Sequence, residues 1–533
     1  MANNIAFNTI SANRLKRAAH DLSHTRKFTM NMGDLVPIMC QDVIPGDSFQ
    51  LKHEALVRIM PMLAPIYHNV NVYMHYFFVP YRLIWDSWED FITGGKDGTL
   101  KPSFPRFIVK KEIDIIGKQY LFKSGSLLDY LGFPVKQVKP DNSFEITEAN
   151  AFSQMPLRAY HTIYNEYYRD QNLEDEIKVS KDNGILEFDY WESNNEWRFQ
   201  AGLMRKRAWE KDYFTSALPN TQRGTPMSIP VQGDAEVYAL RNNPSNPGDG
   251  QHRSLITGKA LGDGSYGITS KGGLTPLTGD PIFADLSNVS TATINELRQA
   301  FQIQRWLERS ARSGARYTEV LQSFFGVRPR DSRLQRPEFL GGGKMPLSIS
   351  EVLQTSETSN TPLGEFAGHG ITYGSTVKFR KFFEEHGIIM GIMSVLPRTA
   401  YCQGMPKLFT KFDKYDYFWQ EFAHLGEQEI KNEEIYFDPN GADNKGTFGY
   451  TARYNEYRYI PDTVHGNMLD SLSYWHMARM FPSLPALNAA FIKADPTTRI
   501  FPVQNATHKL IIQTHAQLKA IRPVPKYGDP LGI

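Results

Sequence analysis

Hydrophobic and polar positions alternate most regularly in residues 65–95, PIYHNVNVYMHYFFVPYRLIWDSWEDFITGG. Ile66, Val70, Val72, Met74, Tyr76 and Phe78 fall on one parity, with His68 the polar exception. Tyr67, Asn69, Asn71, Tyr73, His75 and Phe77 fall on the other. A period of two predicts a strand with one buried and one more polar face. Pro80 ends it, since proline has no N–H to give a ladder. The period then changes: Ile84, Trp85, Trp88, Phe91 and Ile92 share one side of a helix that Gly94 and Gly95 stop.

Further strands are predicted at both ends of the chain, over 35–41 and 48–51, then over 371–379, 387–396, 449–460 and 509–518. The middle is helical. Leu157, Tyr160, Tyr164, Tyr167 and Tyr168 have helical spacing within 155–171, and Thr293 with Glu296 forms a capping box for a helix to about Ser313. Gly314 breaks that helix, and a second, 315–325, stops at Gly326. Residues 216–288 turn rich in Gly, Pro, Asn, Ser and Thr and read as a surface excursion. The expected organisation is an arm (1–30), core strands (31–80 and 371–520), helical and loop insertions (81–215 and 289–370), the Gly/Pro/Asn-rich insertion (216–288) and a C-terminal arm (521–533). The β ends must pair with each other or leave open edges. The pattern predicts a mainly β sandwich or barrel with insertions, and a double-sheet jelly roll accommodates such insertions.

Composition narrows the chemistry. With 59 Lys and Arg against 57 Asp and Glu, the net charge is +2, so any nucleic-acid contact must be local. Cys40 and Cys402 make neither a disulfide framework nor a zinc spacing and suit a reducing compartment. There is no apolar run long enough to span a membrane and no apolar h-region among the first twenty residues. Gly262, Gly264 and Gly267 spell GxGxxG, but neither strand nor helix flanks them. His53-Glu54 begins HExxH, yet Val57 stands where the second His belongs. No nucleophile elbow or phosphate loop is present. Asn288 and Asn505 open glycosylation sequons, which matter only in a secreted chain. Glu384, Glu385 and His386, like Glu433 and Glu434, are adjacent charges that point apart and define no site. Catalytic residues, metal ligands and cofactors are not expected.

Two groups of residues suggest interactions instead. Arg14, Lys16, Arg17, Arg26 and Lys27, with His20 and His24, share a stretch whose one acid is Asp21; Arg14, Arg17 and Asp21 suit one helical face. Phosphate contact is one reading of them, an arm docked on another subunit the alternative. Lys519, Arg522 and Lys526 form a thinner second cluster, with Phe28 and Tyr527 as candidate stacking partners. Trp85 and Trp88, and Tyr160, Tyr164, Tyr167 and Tyr168, form stripes that suit either core or an intersubunit contact, the tryptophans leaning to core.

Longer strings carry a resemblance. FFVPYRLIWDSWEDFITGG, DLVPIMCQDVIPGD, ARSGARYTEVLQSFFGVRPRDSRLQRPEFLGG, residues 397–426 and YNEYRYIP resemble the major capsid proteins of microviruses, in their gokushovirus branch. The likeness runs from about residue 13 to the C-terminus and thins between 216 and 288. It implies a non-enzymatic structural protein with the eight-stranded antiparallel jelly roll of viral capsids. It also implies a T=1 icosahedral shell of identical copies around circular single-stranded DNA, assembled in the bacterial cytoplasm. Implied partners are other copies of the chain, packaged DNA, an internal scaffolding protein, a small basic DNA-binding protein and a host surface receptor, without membrane insertion. The resemblance makes the 216–288 insertion a candidate threefold protrusion used in host attachment, with a spacer as the alternative. Two other classes remain open on the residues alone, a secreted jelly-roll carbohydrate-binding protein or glycosidase and a cellular nucleic-acid-binding scaffold.

Overall fold

The computed structural model describes residues 17–108, 124–134, 148–187, 197–225, 236–241, 251–260, 266–270, 282–285, 294–313, 316–353, 366–441, 443–503 and 508–526. Arg14, Lys16, Gly262, Gly264, Asn288, Asn505 and Tyr527 lie outside them.

Nine strands build the main sheet: β1 (Ala18–Asp21), β2 (His24–Met30), β3 (Val36–Val43), β4 (Ser48–Ile59), β5 (Val70–Pro80), β6 (Glu338–Leu353), β7 (Phe366–Phe382), β8 (Gly387–Pro397) and β9 (Leu510–Arg522). They fill eight positions, because β1 and β2 lie end to end along β9. The order is β1/β2–β9–β4–β7–β6–β5–β8–β3, antiparallel throughout. β6 turns the corner: its first half pairs with β5 and its second half with β7. The sheet therefore curls into two four-stranded walls, a jelly roll.

Strand alternation explains the interior. On β4, Phe49, Leu51, Ala55, Val57 and Ile59 point inward, and on β9 Leu510, Ile512, Ala516 and Leu518 do. They meet Val70, Val72, Met74, Tyr76 and Phe78 of β5 and Ile389, Met393 and Val395 of β8 in one apolar cluster. The parity read for residues 65–95 is the parity that faces this interior. Strand β4 runs eight residues beyond the expected 48–51.

The structure departs from expectation in several further places. Residues 18–30, expected as an arm, hold two strands of the roll. Residues 338–353, expected as insertion, form β6. Residues 449–460 hold only a short strand, Thr447–Ala452, before Tyr454 takes a left-handed φ of 62° and a 3-10 turn follows. Gln428 and the Trp419 and Tyr417 backbones tie Tyr454 down, which offsets the cost of that conformation.

The two walls differ on their outer faces. Behind β5 and β8, Phe77, Val79, Ile388, Met390 and Ile392 are covered by α1 (Tyr81–Ile84), the helix Leu127–Leu131 and α2 (Met155–Ile163). β8 is consequently buried along its whole length. The wall β1/β2–β9–β4–β7 keeps its outer face exposed at alternate residues. Residues 222–312 form a separate unit. It holds a four-stranded antiparallel sheet, ordered Tyr266–Ser270, Gln251–Ala260, Glu236–Arg241, Ile282–Asp285, and the helix Ile294–Ser313. The excursion expected as loop thus contains strands, of four to ten residues, that the surrounding turn residues hide in a window of sequence.

Candidate assembly and nucleic-acid surfaces

The aromatic helix after Pro80 forms as two short turns, Tyr81–Ile84 and Trp88–Thr93, closed by Gly94 in the left-handed region at φ 78°. Trp85 sits at the break, fully buried, and its Nε1 donates to Asn183 Oδ1 at 2.5 Å. Trp88 is half-buried between Tyr81 and the His386 ring. Tyr160 donates to the Leu35 carbonyl at 2.8 Å and accepts from the Arg205 N–H at 3.0 Å. Tyr164 donates to Glu174, Tyr167 to the Pro337 carbonyl, and Tyr168 shares a bond with His75 Nδ1. All six aromatics belong to or pack against the cluster behind β5 and β8. Burial leaves Trp85 and Tyr160 no surface to offer a neighbouring subunit. Arg158 locks the same layer: its buried guanidinium donates to the carbonyls of Ile84 and Asp182 and to Gln154.

The cationic candidates separate by strand parity. On β2, Arg26 points inward and donates to the Tyr130 carbonyl at 2.6 Å, while Lys27 is exposed. Arg522 is held by the fully buried Asp47 at 2.8 Å. Lys519 is exposed, Arg17 lies over the Phe382 ring at 5.0 Å, and Lys526 is exposed beyond β9. Phe28 packs edge-on against Tyr130. Arg17, Lys27 and Lys519 are therefore brought to one wall, and Arg26 and Arg522 are spent on holding the chain together.

The remaining chemistry is structural. His53 lies in the roll interior, where Tyr76 hydroxyl and His53 Nδ1 share a hydrogen bond and Nε2 has no partner. Burial pushes its pKa down to about 3. Burial likewise pushes the Cys40 thiol up to about 12, far from a reactive thiolate. Glu385 pairs with Arg82, and Glu433 with Lys445. Among the described residues no group of three His, Cys, Asp or Glu side chains is placed to hold a metal ion, and no helix is long and apolar enough to cross a membrane.

A surface not singled out in the sequence lies between Lys407 and Leu425. Three short 3-10 turns, Lys407–Thr410, Lys414–Asp416 and Gln420–Phe422, carry Leu408, Phe409, Phe412, Phe418 and Trp419 into solvent. Phe412 is 85 % exposed, extreme for a phenylalanine. Its aromatics follow neither a period of two nor of 3.6, so neither a strand nor a helix pattern marks them; their density alone is the signal. The segment is fixed from beneath by Lys407 on the Glu429 carbonyl, Lys411 on Glu456 and Phe418 on the Tyr454 ring. Large exposed apolar patches on soluble proteins commonly mark interaction sites.

The family model described as "Capsid protein (F protein)" matches residues 8–531. The chain belongs to that capsid-protein family. It is 33 % identical to capsid protein VP1 of Chlamydia phage 1, over 98 % of this chain and 97 % of the relative. It is 34 % identical to capsid protein VP1 of Bdellovibrio phage phiMH2K, over 99 % and 98 %. Capsid protein VP1 of Spiroplasma virus 4 is 29 % identical over 98 % and 97 %. The chain is thus a structural major capsid protein and not an enzyme. Membership places it in a virion and implies assembly with copies of itself. For a capsid protein the exposed aromatic band and the bare wall of the roll become the two surfaces to explain.

Proposed function

We propose that copies of this chain close into a T=1 icosahedral shell around circular single-stranded DNA, assembled in the bacterial cytoplasm with an internal scaffolding protein and a small basic DNA-binding protein. The near-neutral charge suits a shell whose DNA compaction is delegated to such a partner. The jelly roll supplies a rigid wedge, and modest contacts suffice because a closed shell engages several per subunit at once.

The observation that carries the assembly reading is the band at 407–425, an ordered apolar surface that the chain leaves bare. Phe409→Ser with Phe412→Ser touches only exposed side chains, so the stability of the subunit should change by no more than about 0.5 kcal/mol. Particle yield, read by electron microscopy and sedimentation, should fall tenfold or more, since buried aromatics dominate interface energies. Full assembly of this variant would remove the band from the contact.

The unit at 222–312 supports a role in host attachment for the 216–288 insertion, because polar, turn-rich loops are where recognition concentrates. Exchanging 216–288 for the equivalent segment of a related phage should transfer adsorption range with it. Adsorption that follows the rest of the particle would make the segment a spacer.

A further inference from the structure

The wall β1/β2–β9–β4–β7 has a bare outer face, and its charge is one-sided. Strand register brings Lys27 of β2, Lys519 of β9, Lys52 and Arg58 of β4, and Lys378 and Arg380 of β7 to that face. Lys519 stands beside Gln50, which stands beside Arg380; Lys52 stands beside Lys378. Among the described residues of these strands, two carboxylates share the face, Asp21 and Glu54. Both are occupied: Asp21 accepts from the Ser23 N–H and hydroxyl, and Glu54 from Lys52 at 2.6 Å and the Tyr373 hydroxyl at 2.9 Å. In a chain with 59 cations and 57 anions, such a local excess is not a consequence of composition. Like charges side by side on neighbouring strands are destabilising, and this face carries Lys52 against Lys378. An external anion relieves that repulsion.

The face also offers flat apolar rings. Tyr373 is 70 % exposed and Phe382 44 %, on the same side of β7 as Lys378 and Arg380. Lys378 and Arg380, two residues and about 6.7 Å apart along β7, with Tyr373 and Phe382 on either side of them, form the combination that holds single-stranded nucleic acid without reading its sequence.

We propose that this exposed wall of the jelly roll is a docking platform for the phosphate backbone of single-stranded DNA, and hence the side of the subunit that faces the packaged genome. The proposal rests on the reading that the shell encloses DNA. It moves the contact from the terminal arms to the sheet itself and adds Lys52, Arg58, Lys378 and Arg380, which carried no signal as a cluster in sequence because they lie on two strands some three hundred residues apart.

The test replaces Arg58, Lys378, Arg380 and Lys519 together by Gln. Purified full-length variant should bind oligothymidylate with a slope of log affinity against log salt lower by about 2 to 3 than the unaltered chain, at roughly 0.7 for each phosphate that is no longer neutralised. Its particles should form in normal number and carry less nuclease-resistant DNA. Replacing the exposed Lys96, Lys101, Lys178 and Lys181 by Gln, on the insertion that covers the other wall, should change neither readout. The exchange Lys378→Arg with Arg380→Lys keeps the charge and should bind as the unaltered chain does. An unchanged slope and DNA content in the fourfold variant overturns the platform. So does a charge-keeping variant that loses binding as fully, which would assign the effect to folding. Loss of particles rather than of DNA overturns it too and makes the wall a subunit contact. Absence of nuclease-resistant DNA from particles of the unaltered chain instead removes the reading on which the platform rests.

Discussion

Asp212→Ala should destabilise the capsid subunit by roughly 3–5 kcal/mol, because it leaves several buried donors without an acceptor. The Asp212 carboxylate is buried and accepts five hydrogen bonds: from the Phe214 and Thr215 backbone N–H groups at 2.9 and 2.7 Å, and from the hydroxyls of Thr215, Thr399 and Tyr401 at 2.9, 2.5 and 2.8 Å. Alanine leaves the Thr399 hydroxyl and the Phe214 and Thr215 N–H groups without this acceptor, each at about 1–3 kcal/mol. Asp212→Asn keeps one accepting oxygen and should cost less. Phe214 and Tyr401 sit in one apolar cluster with Ile430, Ile435, Phe448 and Phe491, the floor of the region that carries the 407–425 band. Hydrogen exchange should therefore speed up over 398–494 before it does in β4 or β9, and particle yield should fall with it. Uniform acceleration across both regions would mean that the hub has no local hold on the band.

Strands with one apolar parity and a polar or exposed other were legible in the chain itself. Residues 65–80 and 509–518 announce β5 and β9 because each second residue must face the roll. Gly326 marks a helix end because chain direction must change there, and it takes φ 68°; Gly314, read as the other break, lies outside the described residues. β6 was illegible for a specific reason. Gly341, Gly342 and Gly343 demote the segment in any propensity argument. At Gly342, though, a Cβ would come within 2.4 Å of the His75 ring, so the glycine is what lets β6 lie against β5. β2 was hidden by the opposite problem. Its inward positions include His24, bonded to the Leu22 carbonyl two residues back, and Arg26, whose partners, the Tyr130 and Pro37 carbonyls, come from elsewhere in the chain. The surfaces were less legible than the fold. Trp85 and Tyr160 carry the aromatic signature of an interface and are spent inside the subunit. The basic wall exists only once β4 and β7 are in register.

Acid should loosen the roll from within, and His53 is the residue that reports it. His53 on β4 and Tyr76 on β5 share the hydrogen bond that links the two walls across the core. Burial, with the charges of His24, His515 and Arg26 around it, lowers the His53 pKa from 6.5 to about 3. The unfolded chain therefore binds the proton more readily than the folded one between those values. Stability is fully present above pH 6.5 and is lost as pH falls toward 3; at pH 5 the loss at this site is about 2 kcal/mol. His75, lowered to about 4 by burial and Arg207, pulls the same way. Asp34, raised to about 6 chiefly by burial, pulls the other way: it destabilises as pH rises from 3.8 to 6, so acidification returns part of what the histidines lose. The net slope is thus a difference, and the His53 share is isolated by His53→Gln. That variant keeps a polar partner for Tyr76 but has no proton to gain. Denaturant unfolding at pH 7 and pH 5 should show the stability gap between the unaltered chain and the variant narrowing by about 2 kcal/mol at the lower pH. An equal gap at both values would mean that His53 stays protonated or neutral alike in both states, and the acid sensitivity of the roll would have to lie elsewhere. If the gap narrows, the two walls of each subunit separate more readily in acid, and a shell built from such wedges loses stiffness at the same pH without any change at its subunit contacts.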